Sequence, residues 1–316
     1  MKIQKALEDF IFHCKFEKHL SNKTLKAYTI DLRQFKHFMD TSLNVSEIML
    51  VGKNELKQYI QFISDFKPKT IKRKIASAKA MFNFMEFEEL IQVNPFRKVR
   101  ISIKEPKVLP RVMTLQEASS LFSVVYQELG EYANKKDAYG YKEKIRDVAV
   151  VELLFGTGVR VSELCSVRYN DFGSDFSSIR VNGKGNKERT IQISNDATKK
   201  ALQDYYNLFS EIIETKQYFF INRLSNRLSE QSVRLMIRKY KEESNLTKRI
   251  TPHVFRHSFA TLLLEQDVDI KYIQNLLGHS SIMTTQIYTH VSTEKQAEIL
   301  QNKNPRNGLI LLEGEK

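Results

Sequence analysis

The stretch NPFRKVRISIKEPKVLPRVMT, residues 94–114, limits every fold open to this chain. It carries three prolines and six Lys/Arg with no helical periodicity. A helix cannot run through such a segment, because each interior proline removes a backbone donor and clashes with the preceding turn. It therefore reads as an extended basic linker. The expected organisation is a first domain over residues 1–96, a linker over 97–113, a second domain over 114–300 and a C-terminal tail over 301–316. A chain of 316 residues is long enough for each domain to bury its own core.

The first domain reads as consecutive amphipathic helices. In SNKTLKAYTIDLRQFKHFM, Leu25, Tyr28, Leu32, Phe35 and Met39 share one helical face, and Lys26, Arg33 and His37 share another. In KPKTIKRKIASAKAMFNFM, Ile71, Ile75, Ala78, Phe82 and Met85 form the apolar stripe, with Lys69, Lys72 and Arg73 pointing away from it. A basic face is ordinarily a solvated surface. Two of them in one small cationic domain also suit phosphate contact.

The second domain is mixed. Thr114 and Glu117 have the spacing of a capping box opening a helix. IRDVAVVELLFGTGVRVSELCSV reads as a buried helix, a Gly-x-Gly turn and a second helix. SSIRVNGKGNKERTIQIS reads as a hairpin, with Ile179 and Val181 alternating on one arm and Ile191 and Ile193 on the other. QYFFIN is expected to add a short strand. The fold class is therefore mainly α with a small antiparallel β-sheet, in two domains.

Charge narrows the function. The formal net charge is +13, and residues 1–100 hold 19 Lys/Arg against 11 Asp/Glu. Such a surface favours a polyanion, since each neutralised phosphate releases condensed counterions. A basic linker between two basic domains suits a clamp around a duplex. No apolar run approaches the ~20 residues that span a bilayer, and the N-terminal twenty residues mix acids with bases, unlike a signal peptide. With two cysteines, Cys14 and Cys165, and no CxxC pair, neither a disulfide framework nor a zinc site is expected, and a cytoplasmic setting follows.

Several polar residues fall at positions with two readings. Arg160 follows GTG at a helix start, with Glu163 one turn on to orient it; a structural ion pair is the plain alternative. Lys184 lies at the hairpin tip with Lys187 and Arg189, either solvated or on an arm that reaches a bound duplex. Thr251 and Pro252 open a helix that puts His253 and Arg256 three residues apart near its N-terminus, where free N–H groups attract anions. His279 follows a glycine, and Tyr288 sits among threonines, as a core ring or a free hydroxyl.

Taken in order, GTGVRVSEL, GKGNKERTIQI, TPHVFRHSFATLLLEQ and LLGHSSIMTTQIYTHV resemble the signature segments of the tyrosine recombinase (lambda-integrase-like) family, closest to its Xer-type subgroup. The likeness spans nearly the whole chain and implies a helical core-binding domain, a linker and a mixed α/β catalytic domain. It carries the catalytic roles to Arg160, Lys184, His253, Arg256, His279 and Tyr288. The segment VYQELGEYANKKDAYGYKEKIRD is longer than its usual Xer-type counterpart, so integration, excision, inversion and dimer resolution all stay open.

The implied chemistry is phosphodiester cleavage by Tyr288, giving a 3′-phosphotyrosyl link and a free 5′-hydroxyl. Arg160, Arg256 and His279 then stabilise charge on the nonbridging oxygens, His253 is the candidate base for Tyr288 and Lys184 the general acid. Bond energy is conserved, so neither a cofactor nor a metal is expected. The implied partners are double-stranded DNA with paired recognition sites and a homotetramer on DNA, or a heterotetramer with a related recombinase, exchanging strands through a Holliday junction. Lys26, Arg33, Lys69, Lys72, Arg73, Lys187 and Arg189 are the expected DNA contacts. Three alternatives are distinguishable: a non-cleaving DNA-binding protein indifferent to Tyr288→Phe, a type IB topoisomerase relaxing any plasmid, and a metallohydrolase abolished by chelator.

Overall fold

In a computed structural model, residues 1–104, 111–134, 139–183, 188–278 and 293–309 are described, with backbone alone for 293–296. The chain divides into two compact units, Met1–Val108 and Leu109–Lys316.

The first unit packs four helices: α1 (Ile3–Phe12), α2 (Asn22–Ser42), α3 (Lys53–Phe62) and α4 (Pro68–Phe87). The α2 helix starts where the Ser21 hydroxyl accepts the Thr24 N–H at 3.3 Å, and α4 starts on Pro68, whose fixed φ suits a first turn. Their apolar stripes meet: Leu32, Phe35 and Met39 of α2 and Ala78, Phe82 and Met85 of α4 are buried together with Leu56 and Tyr59 of α3. Val99, Ile101 and Ile103 also pack on this core. The first half of the expected linker is thus anchored by its own apolar residues. Among the described residues, no helix is long and apolar enough to cross a membrane.

In the second unit, α5 (Leu115–Glu131) opens with the expected capping box: Thr114 Oγ1 accepts the Glu117 N–H at 3.1 Å and Glu117 Oε2 accepts the Thr114 N–H at 2.9 Å. The central element is α6 (Tyr139–Thr157), buried without interruption from Lys144 to Thr157. It packs against α5, α8 (Asp196–Lys216) and α10 (Pro252–Glu265). The short α7 (Val161–Ser166) follows it, and α9 (Glu230–Glu243) and α11 (Ile270–Leu277) complete the layer of helices ahead of α12 (Thr293–Lys303).

The small sheet is antiparallel, β1 (Ser178–Asn182) on β2 (Glu188–Gln192), in the register Ile179↔Ile191 and Val181↔Arg189. The strand expected in QYFFIN does not form. Phe219, Phe220 and Ile221 are buried, but only an isolated bridge between Ile221 and Arg227 marks extended pairing. An apolar run that short specifies burial without specifying a strand partner.

The boundary expected at residue 301 falls inside α12, and the turn after it belongs to the core. Arg306 is buried, donating from Nε to both oxygens of the fully buried Glu152 at 2.9 Å. Asn304 Nδ2 donates to the Gly156 carbonyl at 2.8 Å, and Leu309 packs on the same core. The apolar residues 310–312 lie outside the described residues.

Candidate active site

Two glycine turns build the site. After α6 the chain passes through Gly158 at φ +63°, a left-handed value that costs glycine little. A Cβ there would stand 2.6 Å from Phe259 Cδ1 and 2.9 Å from Leu277 Cδ2, so the turn lies against α10 and the end of α11. Gly278, at φ +62°, ends α11 in the left-handed conformation usual after a helix.

Arg160 caps α7. Its backbone N–H donates to Glu163 Oε2 at 2.8 Å, and its Nη1 donates to Glu163 Oε1 at 2.7 Å. The carboxylate thereby satisfies a first-turn backbone donor and orients the guanidinium at once. Nη2 of Arg160 reaches the Gly278 carbonyl at 3.1 Å.

Arg256 approaches from the other side. Thr251 caps α10, Pro252 fills the first helical position, and Arg256 falls on the inner face, 4% exposed. Its Nη1 donates to the Gly158 carbonyl at 2.9 Å and its Nη2 to the Leu277 carbonyl. Each arginine therefore holds the end of α11, and Arg256 also clasps the Gly158 turn that leads into Arg160. His253 and Arg256, expected as a pair at one helix end, are separated by depth: His253 is exposed while Arg256 is buried.

The electrostatics follow from one carboxylate among three guanidiniums. Burial pushes the Arg256 pKa down to about 9, and the charges of Arg160 and Arg189 press the same way while Glu163 opposes them. Arg256 is still a cation at neutral pH, with carbonyls in place of a carboxylate. Burial works to raise the Glu163 carboxyl, but the hydrogen bonds and charge of Arg189, then the backbone and side-chain hydrogen bonds of Arg160, hold it below its ordinary value. Such a surplus of guanidinium suits a phosphate.

Arg189, expected on an arm that reaches a duplex, is held inward: its Nη1 and Nη2 donate to Glu163 Oε1 and Oε2 at 2.9 and 2.8 Å, and its Nε donates to the Leu276 carbonyl at 2.8 Å. The alternation of β2 explains this. Arg189 lies two residues before the buried Ile191 and so on the same, inward face. An arginine in phase with Ile191 and Ile193 was a signal in the sequence that an internal acid awaited it. The carbonyls of Gly158, Leu277 and Gly278 left no such signal, since any residue supplies one.

In the first unit, Lys26, Arg33, Lys69 and Lys72 are exposed on α2 and α4. Arg73 is tied down, its Nη1 donating to the buried Asp31 Oδ2 at 2.5 Å beside the Ser77 hydroxyl at 2.9 Å. Lys184, Lys187, His279 and Tyr288 lie outside the described residues.

Arg160, Arg189 and Arg256 gather over two glycine turns in a mixed domain, with a helical unit preceding it in the chain. The profile of the phage integrase family matches residues 121–295, and that of the phage integrase N-terminal SAM-like domain matches residues 7–89. A tyrosine recombinase of Agathobacter rectalis is 42% identical over 96% of this chain and 97% of its own length. The tyrosine recombinase XerC of Pediococcus pentosaceus is 33% identical over 92% and 95%. In fold, the chain is similar to the XerH site-specific recombinase bound to its difH substrate in a pre-cleavage complex, with a TM-score of 0.66 at 19% identity, covering 92% of this chain and 83% of that one. The chain belongs to the phage integrase family, the tyrosine recombinases, and is a site-specific recombinase.

Proposed function

We propose that this recombinase cleaves and rejoins DNA strands through a 3′-phosphotyrosyl intermediate, with Tyr288 as nucleophile and Arg160 and Arg256 as the ligands of the scissile phosphate. The observation that carries the reading is the way both guanidiniums close on the end of α11: Arg160 on the Gly278 carbonyl at 3.1 Å, Arg256 on the carbonyl of Leu277. Two planar donors fixed to one backbone turn are preorganised for the charge that develops on a phosphorane-like transition state, with little reorganisation as it forms.

The remaining roles follow from the chemistry. His279, next in the chain after Gly278, adds a hydrogen bond to a nonbridging oxygen. His253, exposed near the start of α10, takes the Tyr288 proton, and Lys184 returns one to the departing 5′ oxygen. The phosphotyrosyl bond stores the energy of the broken diester, so religation to a new strand requires neither ATP nor a metal ion. Exposed Lys26, Arg33, Lys69 and Lys72 of the first unit, with Lys187 of the second, contact the DNA backbone.

A lambda integrase tetramer bound to a Holliday junction, with a TM-score of 0.67 at 17% identity, shares the fold over 92% of this chain and 80% of that one. We propose further that four protomers act on paired sites in double-stranded DNA, alone or with a related recombinase, in the cytoplasm. A nicked duplex containing the site, incubated with protein in EDTA and run on a denaturing gel, tests the reading. A protein–DNA band is expected that disappears with Tyr288→Phe. An adduct persisting in that variant would assign the nucleophile elsewhere.

A further inference from the structure

Arg189 faces inward from β2 with its side chain only 12% exposed, and nothing in the cleavage scheme uses it. It makes three hydrogen bonds to two elements of the site. The two terminal nitrogens grip both oxygens of Glu163, the same oxygens that hold the side chain and the backbone N–H of Arg160. Its Nε holds the Leu276 carbonyl. The next two carbonyls along, those of Leu277 and Gly278, are the acceptors of Arg256 and Arg160. A Cβ on Gly278 would meet Arg189 Cδ and Nη1 at 3.1 Å, so the glycine is where the chain passes over this side chain.

We infer that Arg189 is a positioning residue for the recombinase site, fixing Arg160 through Glu163 and the end of α11 through Leu276, and that it makes no direct contact with DNA. The inference rests on the reading of Arg160 and Arg256 as phosphate ligands. Its physical basis is the geometry of the shared carboxylate. With one arginine alone, Glu163 can rotate and either oxygen can take either donor. With a bidentate partner on the far side, both oxygens are fixed, and the fork on Arg160 is fixed with them. A lysine keeps the charge but, as a point donor, cannot hold both oxygens and the Leu276 carbonyl together.

Lys184 lies five residues before Arg189 in the chain. The guanidinium of Arg189 thus ties β2 to Glu163 and to the Leu276 carbonyl. This gives the site one internal hub, where β2, α7 and the end of α11 meet.

The test measures three quantities on the full-length protein with a nicked duplex: the single-turnover rate of adduct formation at saturating protein, the dissociation constant for the DNA, and the thermal midpoint. Arg189→Gln should slow adduct formation tenfold or more while the dissociation constant stays within twofold. Arg189→Lys should fall between the two, and it carries the test if Arg189→Gln does not fold. Because Arg189 acts on Arg160 through Glu163, the double variant Arg189→Gln/Glu163→Gln should be no slower than the slower single variant. Weaker binding with an unchanged rate at saturation would instead make Arg189 a DNA contact. Multiplying effects in the double variant, or a wild-type rate in Arg189→Lys, would equally overturn the inference. If the wild-type protein itself forms no adduct, the phosphate-site reading falls and this role falls with it. An active wild type with fully active Arg189 variants removes this role alone.

Discussion

Arg306 and Glu152 lie 154 positions apart in the chain and form a buried ion pair, Nε to both carboxylate oxygens at 2.9 Å and Nη2 to Oε1 at 2.7 Å. Tyr126 donates its hydroxyl to Glu152 Oε1 at 2.7 Å and Thr198 donates to Oε2 at 3.0 Å, so the carboxylate is satisfied on every side. Glu152 lies one turn before the Gly156–Gly158 turn that opens the site. The C-terminal turn is thereby part of the second unit's own core.

Breaking one partner of this pair leaves an uncompensated buried charge. Arg306→Ala is expected to lower unfolding free energy by about 3–5 kcal/mol, measured by urea denaturation of the second unit's transition. A loss under about 1 kcal/mol, the range of an exposed pair, would contradict the burial described.

The two glycines of contrasting environment give opposite signs. Gly158→Ala forces a side chain into a left-handed turn 2.6 Å from Phe259 Cδ1, so it should destabilise by more than about 1 kcal/mol. It should also slow DNA cleavage, because the Gly158 carbonyl holds Arg256. Gly130→Ala, in α5 with nothing within 4 Å of the new Cβ, should stabilise by up to about 1 kcal/mol. Thermal melts of both variants check the pair.

If Arg160 and Arg256 hold the scissile phosphate as proposed, removing either should leave binding largely intact while the chemistry fails. Arg160→Ala and Arg256→Ala are each expected to slow adduct formation about 100- to 1000-fold at saturating protein. The DNA dissociation constant should change far less, since backbone contacts elsewhere carry most of the affinity. Gel-shift titration beside single-turnover cleavage separates the two effects.

Glu163 makes stability depend on acid pH. Its folded value is held below the ordinary 4.5 by Arg189 and Arg160 against the effect of burial. As pH falls, the unfolded carboxyl therefore takes up its proton first. The stabilisation is complete above 4.5 and is lost as pH falls through the depressed folded value. The difference in thermal midpoint between wild type and Glu163→Gln should accordingly be flat near neutrality and shrink in the acid range. A difference that grows on acidification would reverse the assigned sign.

Much of this protein was legible in the sequence because it rests on local rules. The proline-rich segment marks a division in the chain, the stripes of α2 and α4 become the first core, and the Thr114–Glu117 spacing becomes a capping box. The turn glycines and Arg160 with Glu163 are readable for the same reason: each lies within one turn of its partner. Tertiary structure decided where long side chains spend their donors. Arg189, read as an arm towards DNA, turns inward to Glu163, and Arg73 turns to Asp31. Arg306, within the segment expected as a tail, is drawn to Glu152 by a charge that α6 buries. In each case an acid on a buried face demands a cation, and burial makes that demand strong. Which arginine answers it depends on which elements the fold brings into contact, and no local pattern encodes that.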